Sequence, residues 1–150
     1  MNRFYFVAVV LVLGVLVLGM VFAAAQPLVF IDIPGLVMVV VPTLVLCLAT
    51  FPPRVIGRSF TVAFIRQPAS EPELRQAAVF FRSMERYLLL SGLIGAIIGI
   101  VTMLTLLLDV AKFGQGLAIL LLTVFYAVLL MLVLAIPFRT AVERRLAEKG

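Results

Sequence analysis

Tyr87 to Leu108 reads YLLLSGLIGAIIGIVTMLTLLL, a stretch with no charged side chain. At about 1.5 Å per residue a helix of this length matches the ~30 Å hydrocarbon core of a bilayer. A single span in lipid must be helical, because no water satisfies its backbone N–H and C=O groups. Three more stretches have the same character: Phe4–Ala25, Ile33–Phe51 and Gly116–Phe138. The expected fold class is therefore all-α integral membrane, with four transmembrane helices.

Composition points the same way. Of 150 residues, 65% are hydrophobic and 13% charged, and the mean hydropathy is +1.28. A soluble domain of that size needs a more polar exterior, so residues 1–150 read as a single membrane domain. Phe4–Ala25 is longer than the ~7–15 residues of a signal-peptide core, so it reads as a retained helix rather than a cleaved leader.

The net charge is +5, but the basic residues cluster at the ends of apolar runs instead of along one exposed face, which argues against nucleic acid as a partner. Arg3 precedes the first run. Arg54, Arg58, Arg66, Arg75, Arg82 and Arg86 lie between the second and third, and Arg139, Arg144, Arg145 and Lys149 follow the fourth. Only Lys112 falls on the other side. Eleven of twelve on one side places both termini and the middle segment in the cytoplasm. Arg54, Arg58, Arg82 and Arg86 are the candidate cytoplasmic charged contacts, and anionic lipid heads are the default partners of Arg54, Arg58 and Arg66.

Histidine is absent and Cys47 is the only cysteine. No intrachain disulfide is possible, and metal sites or Cys–His nucleophiles are not expected. No catalytic residue and no cofactor are assigned, so the chain does not read as an enzyme.

Local signals set the helix ends. Asp32 and Pro34 in FIDIPG fit a helix N-terminus, where a carboxylate complements the dipole and proline occupies the first turn. FPP, Phe51–Pro53, ends the second helix, and Pro42 within it predicts a kink or accommodation by a neighbour. Ser70 and Glu73 in SEPE form a capping-box pattern. From about Glu71 the third helix is expected to run unbroken to about Asp109, roughly 55–60 Å at ~1.5 Å per residue, and to project into the cytoplasm. The tail FRTAVERRLAEKG reads equally as a continuation of the fourth helix past Pro137 or as a frayed end.

None of the four apolar cores contains Asp, Glu, Lys or Arg. An intramembrane carboxylate is costly and marks function where it occurs. Proton movement through this chain would thus require a titrating group on another. The cores hold small and weakly polar residues instead: Gly92, Gly95 and Gly99 on the third helix suit close helix packing, and Thr102 lies farther along it. The fourth helix carries Thr123 and Tyr126 one turn apart. A threonine in lipid bonds by default to a carbonyl one turn back, so a pore-lining role needs outside support.

The order of these features resembles the MotA/TolQ/ExbB superfamily, with MotA-type stator subunits the nearest pattern. FIDIPGLVMVVVPTLVLCLATFPPRVIGRSFTVAF (Phe30–Phe64) is similar to the start of that family's second segment, F-[IV]-D-x-P-S followed by Gly-Gly-Thr and SFP. GLIGAIIGIVTML (Gly92–Leu104) looks like its third segment. GQGLAILLLTVFYAVLLMLVLAIP (Gly114–Pro137) looks like its fourth, G-P-G-L-A-x-A-L-L-T-T-L-Y-G with a terminal proline. The departures are Gly35 for serine, Val40–Thr43 for Gly-Gly-Thr, Leu89 for a proline, Ala96 for a frequent threonine, and Val124 for the second threonine.

The resemblance implies an inner-membrane ion-channel or motor subunit driven by proton motive force. It implies a homopentamer around the helices of a MotB-, TolR- or ExbD-like single-span partner that carries the membrane Asp. In that family hydroxyl residues of the third and fourth segments face the partner, which would put Thr123, Thr102, Ala96 and Tyr126 on the ion pathway. The large cytoplasmic domain of flagellar MotA is reduced to the Pro52–Arg86 stretch, so the expectation is a minimal stator serving another envelope process. A non-conducting pentameric scaffold and an unrelated four-helix transporter are the alternatives.

Overall fold

The computed structural model describes residues 3–22, 30–64, 69–105 and 110–148. Asp109 and Arg66 lie outside them. The elements are α1 (Arg3–Phe22), α2 (Ile33–Thr50), α3 (Pro53–Phe64), α4 (Glu71–Thr105), α5 (Val110–Leu130), a π-turn (Met131–Ala135) and α6 (Ile136–Ala147). No strand occurs among the described residues. Among the described residues three helices are long and apolar enough to cross a membrane: Ile33–Thr50, Glu71–Thr105 and Phe113–Ala147, the last running from within α5 through the π-turn and α6. In α1 many apolar side chains are exposed, Val7, Leu11, Val15 and Leu18 among them.

Helix α4 is the axis of the packed body and touches α2, α3, α5 and α6. It starts at Glu71, where the Ser70 N–H donates to Glu73 Oε2 at 2.8 Å. The Ser70 hydroxyl also donates to that oxygen, at 3.1 Å, rather than accepting from the first turn as in the usual capping box. Arg75 and Glu71 pair one turn apart at 2.6 Å. The helix continues unbroken through Thr105, 35 residues or about 52 Å.

Helix α2 begins at the expected cap. The Asp32 carboxylate accepts the Gly35 N–H at 2.8 Å, and Pro34 sits in the first turn. The helix runs through Pro42 to Thr50 and is tied to the body by hydroxyls at three levels. Tyr126 of α5 bonds the backbone at Phe30 and Asp32. Midway, the Thr43 hydroxyl donates to Val39 O at 2.7 Å and lies 3.3 Å from the Ser91 hydroxyl. At the far end the Thr50 and Tyr87 hydroxyls are 3.0 Å apart.

Beyond α2 the structure adds a helix that the prolines concealed. Phe51 is extended (φ −123°, ψ 135°), which ends α2, and the chain turns helical again at Pro53 because proline is compatible with a first turn. Ser59, Val62 and Ala63 of α3 are buried, at the spacing of one helical face. Phe60 is the hub of a ring cluster, with centroids 5.7 Å from Phe80, 5.3 Å from Phe81 and 5.9 Å from Phe138. Phe51 reaches Phe80 at 5.3 Å. These edge-on contacts are the favoured aromatic geometry.

Of the two readings of the tail, the structure has the helix. Val142 is fully buried, and the Arg145 guanidinium donates to Val62 O at 2.6 Å. The π-turn precedes Pro137, which has no N–H to close its own turn and whose ring crowds the carbonyl four residues back. The helix widens there, so that the Ile136 N–H reaches Met131 O, five residues back.

Candidate functional site

The antiparallel pair α4 and α5 meets along a seam of small residues. A Cβ on Gly92 would collide with the Ala127 methyl, and one on Gly95 would come within 2.5 Å of Thr123 Cγ2. Gly99 faces Leu120 and Gly116 faces Met103 in the same way. Backbones approach this closely only without side chains between them, which is how helices bind in lipid. Gly92, Gly95 and Gly99 thus sit on the helix contact.

Thr123 lies inside this packing, 2% exposed, and its hydroxyl donates to Ile119 O at 2.8 Å. A Cβ on Gly35 of α2 would stand 3.1 Å from that hydroxyl oxygen. Thr102 is on an exposed face of α4 and bonds back to Ile98 O at 2.9 Å. Ala96 is buried. Tyr126 is also buried; its hydroxyl donates to Phe30 O at 2.5 Å and accepts the Asp32 N–H at 2.6 Å. Thr102 and Thr123 share an apolar crevice of about 230 Å³ between α2, α4 and α5, walled also by Pro34, Gly35, Met38 and Gly95. Ala96 and Tyr126 do not line it.

Every fully buried side-chain nitrogen or oxygen among the described residues has a partner. No group of His, Cys, Asp or Glu among them has the arrangement of a metal site.

The arginine-rich end is organised by charge. Arg58 pairs with Glu73 at 2.9 Å and Arg82 with Glu143 at 2.9 Å, whereas Arg54 and Arg86 are exposed. Arg139 is the residue that the sequence did not single out. It bonds Glu85 at 2.6 Å and Glu143 at 3.1 Å, joining α4 to α6. The available signal was the Arg139–Glu143 spacing of four, the separation that places two side chains on one helix face. Glu73 lies well below the apolar stretch that starts at Tyr87. The Arg58 guanidinium, followed by the Ser70 N–H and hydroxyl, holds its carboxyl down at about 2.

These features define an all-helical membrane protein built on a close-packed helical hairpin, with a charged and aromatic base. The sequence profile of the MotA/TolQ/ExbB proton channel family matches residues 61–149, from the last turn of α3 through α6. That is more than half of the chain, and the chain belongs to this family, as a short member with only Pro52–Arg86 between its second and third apolar segments. Comparison with curated proteins gives no match. Family membership removes the reading as an unrelated four-helix transporter. The matched residues exclude FIDIPG, whose likeness to the family rests on its own motif.

Proposed function

We propose that the protein is the channel-forming subunit of a proton-motive-force-driven complex in a bacterial inner membrane. It assembles as a homopentamer around the helices of a single-span, MotB/TolR/ExbD-like partner. One observation carries this reading: a member of a proton channel family has no Asp, Glu, Lys, Arg or His in any apolar core. The group that takes up and releases the proton then belongs to the partner, as a membrane Asp. Exposed apolar faces on α4 (Leu93, Ile97, Val101) and α5 (Leu121, Val124, Val128) supply surface for the neighbours. In this topology α1 is the fourth span, and both termini, α3, the start of α4 and α6 are cytoplasmic, in accord with the arginine distribution.

Among the described residues, Thr102 and Thr123 are the only hydroxyls on the crevice, and they are the residues assigned to the ion path. The test is proton flux in liposomes holding the chain with its co-expressed partner. Flux should require the partner's Asp and should fall several-fold in Thr123→Val. The non-conducting scaffold is the second reading. It is favoured by the internal satisfaction of the Thr123 hydroxyl and by Leu89, Ala96 and Val124 in place of the family's residues. A pentamer with partner but no flux above empty liposomes would establish it. A stable tetramer or monomer would sink both.

A further inference from the structure

Tyr126 bridges two helices that lie far apart in the sequence. Its hydroxyl joins α5 to backbone atoms of Phe30 and Asp32, residues 96 and 94 positions away. The single O–H serves both bonds, since the oxygen accepts from Asp32 N–H while the proton goes to Phe30 O. From Asp32 the chain of contacts continues: the carboxylate holds Gly35 N–H, and Gly35 lies against the Thr123 hydroxyl. Pro34, Gly35 and Met38 are the α2 wall of the crevice that contains Thr102 and Thr123.

We infer that the Tyr126 hydroxyl is a latch that keeps the Asp32 end of α2 closed over the crevice. With the latch made, the crevice walls are apolar, and the Thr123 hydroxyl is satisfied within its own helix. Only hydroxyl oxygens whose protons are already donated within α4 and α5 face the space. With the latch broken, the Phe30 carbonyl and Asp32 N–H lose their intramolecular partner and seek water. The first turn of α2 moves off α5, and the crevice admits water to Thr123. Ring packing at this end is supplied separately, by the edge-on contact of Phe30 with Phe125. The hydroxyl is the polar tie between this end of α2 and α5. That this opening gates proton entry rests on the conducting reading; the latch itself does not.

The experiment separates the two. Cys47→Ala provides a background free of thiols, and Met38→Cys places one on the crevice wall. Labelling with a membrane-impermeant maleimide from the Asp32 side is compared with and without Tyr126→Phe, in the assembled complex with its partner. The latch requires labelling to accelerate several-fold in Tyr126→Phe. It should not change in Tyr87→Phe, which removes the bond at the opposite end of α2, or in Asp32→Asn, which keeps the backbone N–H and a capping oxygen. Unchanged labelling in Tyr126→Phe, or equal acceleration in Tyr87→Phe or Asp32→Asn, overturns the latch. Exchange of the Asp32 and Gly35 amides with deuterium, faster in Tyr126→Phe alone, checks the same motion without a cysteine. If labelling accelerates and flux is absent throughout, the latch stands and the conducting reading falls.

Discussion

Helix α4 is held to its neighbours by different physics at its two ends. Near Asp32, α4 and α5 touch through Gly92, Gly95 and Gly99, with the Thr102 and Thr123 hydroxyls satisfied inside their own turns and no ion pair among the described residues. At the arginine-rich end, α4 meets α6 and α3 through phenylalanine rings and the Glu85–Arg139–Glu143–Arg82 chain of ion pairs. The change follows the solvent. Lipid gives apolar side chains no reason to cluster, so contact there depends on close approach of backbones. Where water returns, burying Phe80 and Phe81 becomes favourable, and long charged side chains gain a place to pair.

The largest effect should come from the aromatic end. Phe81 is fully buried between Phe60, Phe80 and Phe138. Phe81→Ala should cost about 3–5 kcal/mol, read as a shift in unfolding by SDS in mixed micelles. Amide exchange should rise in α3 and α6 and stay unchanged around Gly95. Equal loosening at Gly95 would show that the two ends are one cooperative unit.

Next comes Gly95→Ala, whose methyl must displace Thr123 Cγ2. Overpacking of this kind costs about 1–3 kcal/mol, and here the exchange pattern should be reversed, with α3 unaffected. A neutral Gly95→Ala would mean that the seam is looser than its geometry indicates. Glu85→Gln should be milder, about 1–2 kcal/mol, because its pair with Arg139 is neither fully exposed nor fully buried. The loss should shrink at high salt, unlike that of Phe81→Ala.

The smallest effect is a pH dependence. Glu73 is held at about 2 against an ordinary value of 4.5. A carboxyl lowered on folding stabilises above its unfolded value, and that contribution disappears as pH falls through the folded one. The start of α4 should therefore loosen between about pH 4.5 and 2. Glu73→Gln should remove this window from the fluorescence of a probe on α3.

Local chemistry was legible in the sequence, and distant chemistry was not. Asp32 with Pro34, and Ser70 with Glu73, act within three residues of themselves, so their patterns identified the helix starts. The unbroken α4 followed from the lack of proline after Pro72. The amphipathic face of α3 was present in Ser59, Val62 and Ala63 but masked by the prolines before it. The Phe60 cluster and the Arg145–Val62 bond join residues that only tertiary packing brings together. Thr123 illustrates the limit within the candidate site. Its spacing could not decide between a lumen-facing hydroxyl and one bonded to Ile119, and its burial against Gly35 and Gly95 depended on how α2 lies. The Tyr126 bonds to Phe30 and Asp32 had no sequence signature at all.

The π-turn at Met131–Ala135 has a consequence for how this chain tolerates changes in length. A π-turn holds one residue more than an α-turn, so the helix there carries a spare residue. Deleting one residue within 131–135 would convert the turn to α while leaving Phe138 and Val142 facing α4. The same deletion elsewhere in α5 or α6 would rotate everything beyond it by about 100° and turn those side chains away. A single-residue deletion scan along residues 118–145, read by thermal unfolding, should find one permissive window, and it should fall at the turn before Pro137.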